Sequence, residues 1–417
     1  MKVCFQPSCS PDFHSIDGTD ISLAQSGYSF SWYTDFAEVP EAYWLTAAAS
    51  GDFFLSKNYL QLLAECPPQG VESVYLLFCK NERPVGIAYG QLVEFRANEH
   101  IRPSDQGFVW WKKQLARRLR FRLLVAGNML LTGQHAYFFT ETAEAISGKL
   151  LQEALQHTAK QVRFQGGSIE GILVKDLSPD LPVIPALSGS GGFRELSFQP
   201  NMIFSVSPDW ERQEDYLEAL TSKYRVRYRR ARKKAGPISQ HELSLSQIRA
   251  YEQEIYQLYL NIAEEAEFCM TYLHQNYFSE LKARAAEGQF RLWGYFLDDQ
   301  LVGFCTALWN GENMEAHFLG LEKEENTDHQ LYLNMLYDLI GTGIEGKARQ
   351  IIFSRTAMAI KSSVGAQPEE VSVLIADPAK TMLGKLILPL VRLLEPDVSW
   401  EKRHPYKHHY KTVDFSK

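Results

Sequence analysis

The sequence reads as one unit written twice. Leu55-Ser56-Lys57-Asn58-Tyr59-Leu60-Gln61-Leu62-Leu63 aligns with Leu273-His274-Gln275-Asn276-Tyr277-Phe278-Ser279-Glu280-Leu281. Each stretch is followed by an apolar strand, a two-residue polar turn and a second strand. These are Val74 to Lys80 then Arg83 to Val93 with Gly86, and Gln289 to Leu297 then Gln300 to Trp309 with Gly303. The offset between the copies stays within one residue throughout. A helix leading into an antiparallel hairpin in both halves predicts tandem α/β domains, with chemistry expected at the cleft between them.

A chain of 417 residues suits two or three cores rather than one. The reading divides it into an irregular lead-in over 1–25, a first domain over 26–207 and a second over 208–417, with the boundary near Ser207-Pro208. The net charge of -7 argues against a general nucleic-acid binder. Cys4, Cys9, Cys66, Cys79, Cys269 and Cys305 form no CxxC pair, and four of them adjoin apolar runs, so reduced thiols are expected and no metal site. No secretion-signal pattern opens the sequence and no window holds eighteen apolar residues, so a cytoplasmic protein without a transmembrane segment is expected.

Periodicity predicts a basic amphipathic helix over Gln106 to Arg122, a long helix over Thr142 to Phe164 and a loop over Ser178 to Gly192. Phe193 to Val206 reads as extended. The second half opens with a helix over Trp210 to Ala235, then helices over 246–267 and 272–286, the hairpin, and a third strand near Asn313 to Leu321. A helix over His329 to Gly343, a strand at Gln350 to Phe353, a short helix around Ala357 to Val364, a strand at Val371 to Ile375 and a helix over Thr381 to Leu394 complete it. Three antiparallel strands, a helix, then another strand and helix is an acyltransferase-like order. In such a sheet the third and fourth strands splay, exposing backbone amides that can bind an ester or thioester donor.

Several side chains carry possible chemistry. Residues 223 to 234 hold eight Lys or Arg and no acid, among them Lys223, Arg225, Arg227, Arg229 and Arg230. Like charges at i and i+4 each cost about 0.2–0.5 kcal/mol, so an anionic partner is attractive there, although a solvated face neutralised from elsewhere is the plainer account. Glu315 and His317 alternate on one strand and so face one side, where either could accept a proton from an attacking amine. Lys361 begins a turn and is a candidate for steadying a donor carbonyl or phosphate. Arg355 follows a strand end, where cleft residues sit. Packing or surface roles are the competing explanation for each.

Taken together these stretches resemble a known family. Ser222 to Lys234 resembles the basic helix that opens the second domain of Fem-type, double-domain acyltransferases. Phe353-Ser354-Arg355 through Ile360-Lys361-Ser362-Ser363-Val364-Gly365 is similar to their Lys-x-x-x-Gly element. Glu315-Ala316-His317 lies where relatives show a His or Glu facing the cleft, and Tyr332 lies where related folds place a tyrosine acid. Leu123 to Gly133 resembles a segment of predicted N-acyltransferases labelled peptidoglycan biosynthesis or recognition proteins. The likeness spans roughly residues 50 to 410.

The resemblance implies an α+β fold of tandem GNAT-like (acyl-CoA N-acyltransferase-like) domains, with mixed, mostly antiparallel sheets flanked by helices. It implies transfer of an acyl or aminoacyl group to an amine on a phosphorylated or lipid-linked acceptor such as a cell-wall precursor. The donor would be acyl-CoA or aminoacyl-tRNA, with no tightly bound cofactor. Glu322 to Asp328, read as the strand-to-helix loop, carries four carboxylates where acyl-CoA enzymes place a Gly-rich, Arg-bearing phosphate cradle. Peripheral contact with the inner membrane face and contact with tRNA are further expectations. The rival reading is a non-catalytic recognition protein with the same double fold, and a third is an RNA-binding protein using the basic helix.

Overall fold

The computed structural model describes residues 14–15, 27–96, 120–140, 146–179, 181, 183–189, 192–197, 199–265, 270–378 and 400–407. The expected helices over 106–119 and 381–394, together with Cys4, Cys9 and Cys269, lie outside the described residues.

In chain order the first half carries β1 (Tyr28–Tyr33), α1 (Glu41–Ala49), α2 (Lys57–Glu65), β2 (Val71–Lys80), β3 (Arg83–Arg96), β4 (Arg120–Ala126), β5 (Tyr137–Phe139), α3 (Ser147–Gln161), β6 (Gly171–Leu177) and β7 (Arg194–Ser197). The second carries β8 (Asn201–Ser205), α4 (Ser222–Lys234), β9 (Ser239–Glu242), α5 (Glu252–Ala263), α6 (Tyr277–Arg284), β10 (Phe290–Leu297), β11 (Gln300–Asn310), β12 (Asn313–Glu315) and β13 (Leu319–Leu321). It continues with α7 (Lys323–His329), α8 (Leu331–Glu345), β14 (Gln350–Ile352), α9 (Met358–Val364), β15 (Gln367–Glu369) and β16 (Ser372–Ala376).

Two compact units result. The first comprises Met1–Phe198, Glu267–Leu273 and Val371–Pro396, and the second the remainder. The first sheet starts with a two-residue edge strand, His14–Ser15, antiparallel to β1, and runs on through β1-β2-β3-β4-β6-β16-β7, with β5 also on β3. Its core includes Leu76, Phe78, Leu124, Leu151, Leu155, Ile172 and Leu374. The second runs β9-β10-β11-β12-β14-β8-β15, with β13 also on β11. Each sheet is antiparallel except for one parallel pair, β4 with β6 and β12 with β14. β16 follows the second unit in the chain, yet it pairs antiparallel with β6 and β7 in the first sheet. There Leu374 and Ile375 are buried, so the strand's apolar run is satisfied by a sheet far away in sequence.

The repeat is visible in backbone detail. Asn81 and Glu82 turn the first hairpin with φ of 46° and 64°, and Asp298 and Asp299 turn the second with 48° and 64°. Both two-residue turns use the left-handed pair that suits the twist of antiparallel strands. The register slips between Phe78 and Cys79 in one hairpin and between Tyr295 and Phe296 in the other. Opposite each slip stands a glycine that close packing requires. A Cβ on Gly86 would lie 2.2 Å from the Phe139 ring, and one on Gly303 would lie 2.7 Å from the Met335 methyl.

Several expected elements are modified. Residues 120–122 open β4 instead of ending a helix. Val183–Gly189, expected as loop, is helical, because Pro185 falls in the first turn, where its missing N–H costs nothing, and Val183 and Leu187 are buried. The helix expected over 210–235 breaks at Leu220-Thr221, where Thr221 N donates to Pro405 O and Lys407 N to Ala219 O. The helix expected over 246–267 divides into Leu245–Ala250 and α5. The strand expected near Asn313 to Leu321 divides into β12 and β13, and that division shapes the site.

Candidate active site

In the second unit β12 and β14 run parallel for three residues, ending at Glu315 opposite Ile352. Ala316 N donates the last bond, to Ile352 O at 2.9 Å. Beyond it the strands part. On one arm, residues 316–318 bulge. His317 N donates to Thr306 O at 3.2 Å, Thr306 N to Phe318 O at 2.9 Å, and Phe318 N to Thr306 Oγ1 at 2.8 Å. The bulge amides expected to be exposed are therefore all bonded within the unit, because Thr306 answers the bulge with both backbone and hydroxyl.

On the other arm the chain runs through Phe353 to Ala357. Ser354, Thr356 and Ala357 have φ of 60°, 68° and 46°. Each non-glycine residue held there costs on the order of 1–3 kcal/mol and needs surrounding structure to hold it. Lys361 of α9 supplies part of that structure. Its Nζ donates to Arg355 O at 2.6 Å and Ser354 O at 3.3 Å, while Met202 N also donates to Ser354 O at 3.1 Å. Lys361 is 4% exposed and has no carboxylate partner among the described residues. Burial alone pulls its ammonium down to about 7. Arg355 is half-buried on the same loop.

His317 is half-buried on the bulge, with Nε2 2.6 Å from the hydroxyl of fully buried Tyr277 on α6. Its ring packs edge-on against Phe318, with centroids 4.5 Å apart. Glu315 opposes Leu308 and His317 opposes Thr306 across β11, so the two share a sheet face. Tyr332 lies elsewhere. It packs with the α8 core that includes Met314 and Ile351, on the opposite face from Glu315 and His317, and burial drives its phenol above the ordinary range. The structure thus places Glu315 and His317 on one arm of the strand divergence and Arg355 and Lys361 on the other, while Tyr332 packs in the core that α8 and α9 share.

The basic helix α4 separates into two sets. Tyr224, Tyr228 and Ala231 face the core. Arg232 Nη1 lies 2.6 Å from Asp338 Oδ1, with its guanidinium over the Tyr228 and Tyr337 rings, and Asp338 Oδ2 accepts from Tyr295 OH at 2.7 Å. Arg225 donates to Leu220 O at the helix start, and Arg227 is half-buried. Lys223, Arg229, Arg230, Lys233 and Lys234 are exposed. Eight similar cations in sequence give no sign that Arg232 is a tether.

The acidic segment expected as a loop is the helix α7. Its Asn326 Oδ1 accepts from Tyr332 N at 3.0 Å, so the first turn of α8 is capped by the chain itself. The carboxylates of Glu324 and Glu325 stand in α7's own first turn, where the helix dipole favours them.

The first unit has a counterpart that the sequence reading passed over. β4 and β6 part after Ala126 and Val174. Gly127 N donates to Tyr89 O and Tyr89 N to Ala136 O, matching the exchange at Thr306. Asp176, two residues past the last parallel pair, has φ of 59°, as Ser354 has 60°. Asn128 Nδ2 donates to Tyr59 OH at 3.4 Å, and Tyr59 aligns with Tyr277. Here the divergence is filled. Lys175 Nζ donates to Asp176 Oδ2 and Leu131 O, both at 2.6 Å, and Gly133 N donates to Asp176 Oδ2 at 3.2 Å. The repeated tyrosine was the available signal, since it is the one polar position of the aligned helices that both units bury.

No protein-family model matches the sequence, and no curated protein matches it. Solved structures do. FemX aligns with a TM-score of 0.51 at 12% identity, over 84% of this chain and 98% of its own. A tandem GNAT protein from the clavulanic acid biosynthesis pathway aligns at 0.46 and 10%, over 85% and 99%. A C-terminal domain assigned to a lysylphosphatidylglycerol synthetase from Agrobacterium fabrum aligns at 0.43 and 9%, over 74% and 85%. Of these three FemX alone exceeds 0.5, and at its identity the likeness concerns fold. With the duplicated hairpin, bulge and strand divergence, the chain shares the two-unit fold of FemX.

Proposed function

We propose that this protein transfers an acyl or aminoacyl group to an amine, with the chemistry in the second unit where β12 and β14 part. The observation that carries the reading is a strand divergence with a hydrogen-bonded imidazole on one arm and, on the other, a left-handed loop pinned by a buried, acid-free lysine. The acceptor nitrogen attacks the activated carbonyl carbon, forming the C–N bond. The C–O or C–S bond to the leaving group breaks. His317 takes the proton from nitrogen, with Tyr277 fixing its ring and Glu315 on the same face as the alternative acceptor, and the leaving group receives that proton. The ammonium of Lys361 and the loop it pins stabilise the developing oxyanion.

Arg355, half-buried on the loop that Lys361 pins, holds the anionic part of the acceptor, a cell-wall precursor or lipid-linked amine. The self-capped start of α8 and the acids of α7 favour a donor that places no pyrophosphate there, hence an aminoacyl ester over acyl-CoA.

The internally bonded bulge amides favour a second reading, a recognition protein that binds the acceptor without turnover. Purified protein supplied with acyl-CoA or mixed aminoacyl-tRNA and amine acceptors, read by mass spectrometry, separates the two. The transferase reading expects product from wild type and a loss of about 10²-fold or more in kcat for His317→Gln. Acceptor binding with no product from any donor would leave only the recognition reading.

A further inference from the structure

We infer that the outer face of α4 is a docking surface for an anionic lipid bilayer. Lys223, Val226, Arg230 and Lys233 recur at helical spacing, flanked by Arg229 and Lys234, opposite the inward Tyr224, Tyr228 and Ala231. None of these five cations has an ion-pair partner among the described residues. From Lys223 to Lys234 they span about 16 Å of helix, enough to meet several headgroups at once. A C-terminal segment borders the start of the helix. Thr221 N to Pro405 O and Lys407 N to Ala219 O lay residues 402–407 along the start of α4, and Lys402 and His404 are exposed there.

The shape selects the partner. Side chains on a convex helix face diverge, whereas a single phosphate needs converging donors, and two other cations of the helix, Arg225 and Arg232, are already held by Leu220 O and Asp338. Val226 stands in the middle of the stripe at 49% exposure. Among the described large hydrophobics only Leu45 is as open. A valine ringed by cations fits the headgroup boundary of a bilayer, where the apolar side chain is buried and the ammonium groups meet phosphates. Single-stranded RNA would favour aromatic platforms, and the tyrosines of α4 turn inward. With a net charge of -7 on the chain, an anionic surface repels the remainder and attracts this patch, which orients the molecule.

Sedimentation of the full chain with vesicles tests this without reference to turnover, so it stands or falls separately from the transferase reading. In roughly 0.1 M salt the protein is expected to bind phosphatidylcholine vesicles carrying about 30% phosphatidylglycerol, and not phosphatidylcholine alone. The combined change Arg229→Gln, Arg230→Gln, Lys233→Gln is expected to cut partitioning at least about tenfold. Val226→Ser should cut it by about threefold or more at unchanged salt dependence. Val226→Trp should show a blue-shifted emission only with the anionic vesicles. Unaltered vesicle binding by the triple variant, with wild-type circular dichroism and melting, would overturn the assignment. So would failure to bind these vesicles together with tight, triple-variant-sensitive binding of unfractionated tRNA.

Discussion

Lys361 sits in an environment far from what its side chain prefers. It is buried without a carboxylate, and burial brings its ammonium down to about 7 from an ordinary value near 10.5. Across that interval the unfolded chain holds a proton that the folded chain has released, so stability rises with pH from about 7 to about 10.5, by at most about 1.4 kcal/mol per pH unit. Below 7 both states are protonated and the full penalty is present. Lys361→Met removes the titration. Urea denaturation at pH 7, 8.5 and 10 should show wild type gaining on the variant with each step, whereas parallel curves would contradict the burial. Arg232 is the opposite case. Burial is the strongest single influence and would lower its pKa, but Asp338 and the Tyr228 hydroxyl together outweigh it, so the guanidinium stays firmly charged. Burial also holds the Asp338 carboxyl above its usual range in spite of the guanidinium, which marks a desolvated pair that stabilises little yet is costly to break. Arg232→Ala strands Asp338 and should cost about 3–5 kcal/mol in urea denaturation, while Arg232→Met with Asp338→Leu should recover most of it.

At the scale of elements, the divided strand β12–β13 sets the geometry, and Thr306 holds the division. Its side chain is fully buried, and Oγ1 both donates to Phe318 O and accepts from Phe318 N at 2.8 Å. Thr306→Val keeps the volume and leaves those groups unanswered, so a loss of about 1–3 kcal/mol is expected. Under the proposed chemistry turnover should fall further than stability alone explains, because His317 shares the bulge, and Thr306→Ser should restore both. Parts of this architecture were legible beforehand. The hairpins announce themselves through strand alternation and the polar pairs Asn81-Glu82 and Asp298-Asp299, which are local signals. The division of β12 from β13 was not legible, since it depends on Thr306 reaching across from a neighbouring strand. The break in the helix at Leu220-Thr221 was hidden for a similar reason, as its partners Pro405 and Lys407 lie far along the chain. In sequence Lys361 looks like any surface lysine, and only the fold reveals that it is buried.

At the scale of the whole molecule, the duplication was readable while the ownership of β16 was not. Ser372 to Ala376 follows the second unit without interruption, and nothing local marks it as belonging to the first. In the structure Ser372 opposes Leu177 and Ser197, and Ile375 opposes Leu173 and Arg194, so the strand fills the slot between β6 and β7. Without it, β6 would present an unpaired, largely apolar edge, the kind of edge that drives aggregation. The first unit therefore cannot be complete until residues 372–376 have been made. A fragment ending at Phe198 is expected to aggregate or to lack a dispersed amide spectrum, although it contains every other strand of that sheet. Adding a peptide of residues 371–378 in trans should restore dispersion. In the full chain, Leu374→Ala removes a fully buried side chain from the first core and should cost about 2–5 kcal/mol. A soluble, dispersed spectrum from the 1–198 fragment alone would show instead that β16 decorates the sheet without completing it.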